Sequence, residues 1–239
     1  MDPLFRVEVL AQTAKPQGLI WLAMHQDYCE DFVAWEDMSD EGKAGAAVVA
    51  HLLGGGRGHY GPLEHPQITF NTGWFPHSVM QQARTHRIGV SFDVQSGRYT
   101  SKRIVDVSTG KREVEEVFYL RPVGEYTDRQ GDRYIYTEDA RRIDLARCQD
   151  AANHYAAQLR AGLSEEHARE LVPYAIRQHF VLSANLRSLL HFLDLRAKHD
   201  AQLEIRQLCE LIWPHLQKWV PEIAAWYERA RLHKARLAP

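Results

Sequence analysis

Three cysteines, Cys29, Cys148 and Cys209, are all that 239 residues supply, and no two form a CxxC pair. That scarcity argues against a disulfide framework or a structural zinc site, and a reducing, cytoplasmic compartment is expected. No apolar run approaches the ~18 residues of a membrane span. The opening MDPLFRVEVLAQ lacks the basic-then-apolar texture of a secretory leader. An excess of one charge is missing too: 29 Lys+Arg against 31 Asp+Glu leave a formal net charge of −2. No global basic field draws in nucleic acid or an anionic membrane, so any anion site has to be local. Repeats, low-complexity tracts and long Pro/Gly/Ser linkers are absent, and one domain over 1–239 is expected. The familiar phosphate loops are missing as well. Five glycines crowd 54–61, but neither the Gly-Lys-Ser/Thr ending nor the Rossmann spacing accompanies them. His59, Glu64 and His65 stand nearby, outside the HExxH order that puts two histidines on one helical face. A loop or ligand-lining turn is the expectation, and no metal.

What is present is globular texture, 45% hydrophobic and 25% charged. Alternation predicts strands over 4–13 and 67–75; helical periodicity predicts helices over 17–36 and 40–53. A helix opening at Pro76 is expected to run through PHSVMQQARTHR and end near Gly89. Between 100 and 135, strands and turns are expected, with RIVDV and EVFYL the best strand candidates. From Glu138 the texture turns helical, over 138–161, 164–170, 174–198, 201–218 and 220–235. The expected class is α+β. Antiparallel sheet elements in the N-terminal half pack with a long-helix block in the C-terminal half.

Two stretches concentrate polar residues where a ligand could use them. ARTHRIGVSFDVQSGRYT (83–100) sets Arg84, His86, Arg87 and Arg98 around Ser91, Ser96 and Gly97, with Asp93 the one acid. Over 177–207, a helical wheel at ~100° per residue places Leu182, Leu186, Leu189, Leu190, Phe192 and Leu193 in one arc. Asn185 and Arg196 fall inside that arc, and Arg187 and His191 pair at i,i+4 on another face. A guanidinium in an apolar stripe is costly unless it meets an anion or several acceptors. Two readings stand: an internal Arg–carboxylate pair or a snorkelling helix end, or a cleft where Arg196 and Asn185 contact a polar ligand. Arg169, in RELVP, is a surface arginine or a further anion contact. Arginine suits phosphate and planar imides because it offers paired donors in fixed geometry.

At these residues the chain resembles the flavin-dependent thymidylate synthases. The matching segments, in order, are HYGPLEH (59–65), THR (85–87), SGRY (96–99), RELVP (169–173), NLR (185–187), HFLDLRA (191–197) and AQLEIR (201–206). The resemblance implies an enzyme that methylates dUMP to dTMP. Methylenetetrahydrofolate gives the carbon, FAD carries the hydride, NADPH reduces the FAD, and no cysteine acts as nucleophile. It implies that Arg84, His86, Arg87, Gln95, Gly61, Asn185, Arg187 and His191 bind FAD. It assigns Gln82, Ser96, Gly97, Arg98 and Arg169 to the nucleotide, through its phosphate and sugar. It implies that Arg196 grips the uracil ring and is the catalytic residue. His59 lines the folate or flavin side, or is a loop histidine with no role. A homotetramer sharing sites between subunits is implied as well.

The chain departs from the family pattern at four places. Thr85 stands where the signature begins with arginine, with Arg84 one place earlier. The interval from Arg87 to Ser96 is one residue longer than usual. Val94 replaces a common glutamate, next to the uncharged Gln95, and Gly61 replaces a serine or threonine. The alternatives kept beside the enzyme are a phosphate-gripping nucleotide or nucleic-acid binding module without catalysis, and an inactive flavoprotein.

Overall fold

A four-stranded antiparallel sheet organises the larger of two hydrophobic clusters. The computed structural model describes residues 1–234 apart from 39, 57 and 129. Strands β1 (Arg6–Gln12), β2 (Gln67–Pro76), β3 (Val90–Val94) and β6 (Arg177–Asn185) lie in the order β1-β2-β6-β3. Alternation sets the register. Ile68, Phe70, Phe180, Leu182 and Ala184 are buried, with Phe70 opposite Leu182 and Val90 opposite Ala184. Strands β4 (Gly124–Thr127) and β5 (Arg133–Tyr136) form a separate hairpin.

The sheet is overlaid by α1 (Pro16–Gln26), α2 (Glu41–Val48) and α3 (His77–Ala83) from the first half of the chain. Helices α8 (Leu186–Arg196), α9 (Leu203–Trp219) and α10 (Pro221–Ala230) join them from the second. Asp40 caps α2 by accepting from Lys43 N, and a π-helical turn over Val49–Leu53 continues it into the glycine run. The fully buried Gln17 ties α1 to α10: its Nε2 donates to Glu222 at 2.6 Å and its Oε1 accepts from the Glu222 N–H at 3.1 Å. A second cluster gathers α4 (Lys102–Ser108), α5 (Val114–Val117), α6 (Glu138–Arg160) and α7 (Glu165–Ala168) around Phe118 and Tyr155.

The mixed helix and antiparallel sheet agree with the expected class, and the structure corrects several elements. RIVDV and EVFYL are not strands. Ile104 and Val107 are i,i+3 neighbours on one face of α4, and EVFYL closes α5 before a single bridge from Phe118 to Ile176. The helix expected over 174–198 is half strand: β6 occupies 177–185 and sits in the sheet, which is therefore not confined to the N-terminal half. Its alternate residues Phe180, Leu182 and Ala184 face the core, and Leu186 onward begins α8. The helix expected over 17–36 stops at Gln26, the one from Pro76 stops at Ala83, and β3 follows within residues 83–100. The last helix ends at Ala230, and residue 235 lies outside the described residues. Among the described residues, no helix is long and apolar enough to cross a membrane.

Candidate active site

The passage from β6 into α8 builds the site. Asn185 is the last residue of the strand and the N-cap of the helix: its Oδ1 accepts from Ser188 N at 2.8 Å. Gly89 lies against this cap with φ +65, and its carbonyl accepts from Asn185 N at 3.0 Å. The Ser188 hydroxyl donates to the Ile88 carbonyl at 2.7 Å. The segment before β3 is thereby fastened to the first turn of α8. Asn185 is buried as a cap, so the shared stripe that a continuous helix gave Asn185 and Arg196 does not exist.

Arg196 ends α8 and reaches the C-terminal end of α3. Its Nε donates to His86 Nε2 at 3.1 Å, and its Nη2 donates to Gln82 O at 3.2 Å and Thr85 Oγ1 at 2.8 Å. These partners are an imidazole, a carbonyl and a hydroxyl. Neither the internal carboxylate pair nor a snorkelling end describes them, and the guanidinium keeps its full positive charge at a half-buried position. Burial draws its pKa down from the ordinary arginine value. Because the guanidinium donates to Nε2, the His86 ring is neutral and carries its proton on Nδ1. Burial first, then Arg196, then His191, lower the His86 pKa to about 4, which keeps the ring neutral at physiological pH.

His86 and Arg196 adjoin a groove of about 620 Å³ whose walls include Arg87, Ile88, Arg187 and His191. Arg187 and His191 share one face of α8, as the i,i+4 spacing predicts. Arg187 is paired with Glu64 at 2.6 Å. Arg87 is exposed and has no hydrogen-bond partner among the described residues, so one wall presents an unspent guanidinium. Ile88 is 86% exposed beside it.

A second cluster forms where the loop after β3 meets α7. Arg98 pairs with Glu166 at 3.0 Å, and its N–H donates to Ser96 Oγ at 3.3 Å. A Cβ placed on Gly97 would stand 3.4 Å from Arg169 Nη1, so RELVP and SGR converge. The remaining expected site residues lie apart. Arg84 ends α3 on the exposed side and meets Gln81 Oε1 at 3.4 Å, outside the groove lined by His86 and Arg87. Gln95 N–H extends the β3–β6 ladder to His179 O at 2.9 Å, and its Oε1 is buried without a hydrogen-bond partner among the described residues. Gly61 opens a 3-10 turn with open space on its Cβ side. His59 meets Asp27 at 2.8 Å and lines a different groove with His25 and His51.

Residues that single-position reasoning missed do much of the positioning. Thr85 holds Arg196, Ser188 fastens Ile88, and Glu64 holds Arg187. Gln202 and Glu204 lie within AQLEIR without having suggested a role. Only the spacing of that segment after Arg196 signals them.

The thymidylate synthase complementing protein family matches residues 8–222 of the chain. A flavin-dependent thymidylate synthase of Halobacterium salinarum is 35% identical over 252 residues, covering 98% of this chain and 100% of the relative. One from Haloarcula marismortui is 33% identical, with 98% and 99% covered. Among solved structures, the UMP/dUMP methylase PolB from Streptomyces cacaoi, bound with 5-Br dUMP, superposes with a TM-score of 0.74 at 22% identity, covering 98% of this chain and 97% of that one. Thymidylate synthase X from Helicobacter pylori, with FAD and dUMP, gives 0.67 at 18% identity, covering 94% and 98%. At those identities the two structures speak for the fold.

Proposed function

The chain belongs to the flavin-dependent thymidylate synthases, and from that premise we propose that it methylates dUMP to dTMP through the groove between α3 and α8. The observation that carries this reading is Arg196: a charged, half-buried guanidinium held by three neutral partners, the His86 ring among them. The groove suits FAD by the chemistry of its walls. Arg87 offers unspent paired donors to a diphosphate, Arg187 and His191 share one face, and Ile88 and Leu195 add apolar surface for a ring system. When bound, the flavin supplies hydride chemistry, renewed by NADPH, and methylenetetrahydrofolate is the carbon donor. His86, Arg87, Asn185, Arg187 and His191 serve the flavin side, Asn185 by capping the helix that bears the others. Arg84, Gln95 and Gly61 keep the flavin-side assignment that the resemblance implies.

Arg98, Arg169, Ser96 and Gly97 hold the nucleotide phosphate, and Gln82 holds another part of the nucleotide. Arg196 is the catalytic residue. Its guanidinium faces the N3 and carbonyl side of the uracil and stabilises negative charge developing there, which makes C5 electron-rich without a covalent enzyme adduct. Two of the three thiols are buried, and Cys29 is exposed away from the groove. Burial pushes the Cys148 pKa up to about 11 and raises that of the fully buried Cys209, so neither supplies a thiolate nucleophile.

A homotetramer with shared sites, a single domain over 1–239 and a cytoplasmic location complete the proposal. Ile88 and Tyr99, exposed by 86% and 82% beside the site, offer apolar surface to another subunit. The test is turnover by the full chain given dUMP, methylenetetrahydrofolate, NADPH and FAD. Thymidylate is the expected product. Its absence from protein that holds FAD would remove the assignment.

A further inference from the structure

Three side chains, Glu204, Gln202 and Gln82, form a hydrogen-bonded line that ends at Gln82. Glu204 is buried at 5% exposure near the start of α9, and its carboxylate, after burial, raises the pKa of the Tyr119 hydroxyl. The same carboxylate accepts from Gln202 Nε2 at 2.6 Å. Gln202 is the N-cap residue of α9, yet its side chain does not cap that helix; it reaches across to α3. There its Nε2 also meets Ser78 Oγ at 3.3 Å, while its Oε1 accepts from Gln82 Nε2. Ser78 and Gln82 are i,i+4 neighbours on α3, so the Gln202 amide lies along one face of that helix.

The polarity of this line has one direction. A carboxylate only accepts, so Gln202 must turn its NH₂ toward Glu204 and its oxygen toward Gln82. A carbonyl oxygen only accepts, so Gln82 must in turn present its NH₂ to Gln202. Flipping either amide would set oxygen against oxygen and leave a donor unpaired. The one group of the line left over is Gln82 Oε1, which has no hydrogen-bond partner among the described residues. The backbone carbonyl of the same Gln82 accepts from Arg196 Nη2 at 3.2 Å, which puts this amide next to the catalytic arginine.

We propose that Gln202 and Glu204 are positioning residues that fix the Gln82 amide with its carbonyl oxygen toward the nucleotide, where it accepts a hydrogen bond from the sugar hydroxyl. This rests on the dUMP reading above and sharpens it. Phosphate oxygens only accept, so an outward carbonyl cannot serve the phosphate. The uracil N3 side grows negative against Arg196 and would repel the same oxygen. The sugar hydroxyl remains a donor throughout the reaction.

The experiment measures dissociation constants from the flavin absorbance change of the FAD-loaded enzyme, for dUMP and for its 3′-deoxy analogue. Wild type should bind the analogue roughly three- to tenfold more weakly, the worth of one neutral hydrogen bond. In Glu204→Gln, where the amide line loses its fixed acceptor, that discrimination should fall to within about twofold while FAD content is unchanged. Gln82→Met, which leaves Glu204 undisturbed, should erase the discrimination to the same degree. A variant that weakens both nucleotides equally and keeps the wild-type ratio would mark the line as merely structural and overturn the inference. Equal binding of the two ligands by wild type would overturn it as well. A wild-type flavin spectrum indifferent to dUMP would instead bring down the functional reading, and the inference with it.

Discussion

Replacing Gly89 by alanine tests whether the junction between α8 and the segment before β3 holds the site together. The residue has φ +65, which costs an L side chain about 1 kcal/mol. An added Cβ would also fall 2.2 Å from Asn185 Nδ2 and 2.4 Å from Ser188 Oγ, both in the capped first turn of α8. Displacing the cap costs about 1 kcal/mol, and breaking the Ser188–Ile88 hydrogen bond about 1 kcal/mol more. Together these give about 3 kcal/mol, or a melting temperature lowered by roughly 6–12 °C for a chain of this size. Gly110→Ala is the control. Its φ is +68, but nothing lies within 4 Å of the new Cβ, so only the backbone cost of about 1 kcal/mol remains. Urea and thermal denaturation of the two variants would measure the difference, and FAD content would report on the groove. Equal melting of Gly89→Ala and Gly110→Ala would refute the role given to the junction.

Further outcomes follow from the same geometry. Arg196→Ala should abolish thymidylate formation while FAD stays bound, since the arginine touches His86, Gln82 and Thr85; retained turnover in a coupled assay would remove its catalytic role. His86, with a pKa near 4 in the folded chain against about 6.5 unfolded, makes the unfolded state bind more protons between those values. Its stabilisation is therefore full above pH 6.5 and lost as pH falls toward 4, about 2 kcal/mol between pH 7 and 5. Urea midpoints for wild type and His86→Gln should converge over that window, and parallel pH profiles would contradict the assignment. Asp194, 4% exposed, accepts from Tyr227 at 2.9 Å and from Arg231 Nη2 at 2.8 Å. Asp194→Asn should destabilise the chain by roughly 3 kcal/mol by removing the buried charge that accepts from both Tyr227 and Arg231; a loss under about 1 kcal/mol in urea denaturation would show that the pair is replaceable.

The parts legible in the sequence were those whose periodicity and end signals agree. Strand β2 alternates from Gln67 to Thr72, α2 opens on the Asp40 cap, and α6 opens where Thr137 accepts from Ala140 N. Strand β6 was not legible because both its faces are at least half covered, so HFVLSAN reads as an apolar run that merges with the leucines of α8. RIVDV misled in the opposite sense, since its apolar residues fit either period until α6 packs on one of them. For the site, sequence exposed the residue types that meet ligands: His86, Arg87, Arg187 and Arg196 stand together around one groove or at its edge. It did not expose how they are held. The Ser188–Ile88 bond, the Thr85 hydroxyl under Arg196 and the Gln82–Gln202 contact depend on chain segments brought together from 100 or more positions apart.

Threonine in place of the first signature arginine also has a physical form. Thr85 is a direct partner of Arg196, and Arg84 points along the outside of α3.

The most direct measurement is the absorbance spectrum of the purified chain reconstituted with FAD and titrated with dUMP. A bound flavin band that shifts saturably with the nucleotide, and fails to shift in Arg196→Ala, is the expected result. Protein that takes up no FAD, or a flavin band that dUMP leaves unmoved, would contradict the account.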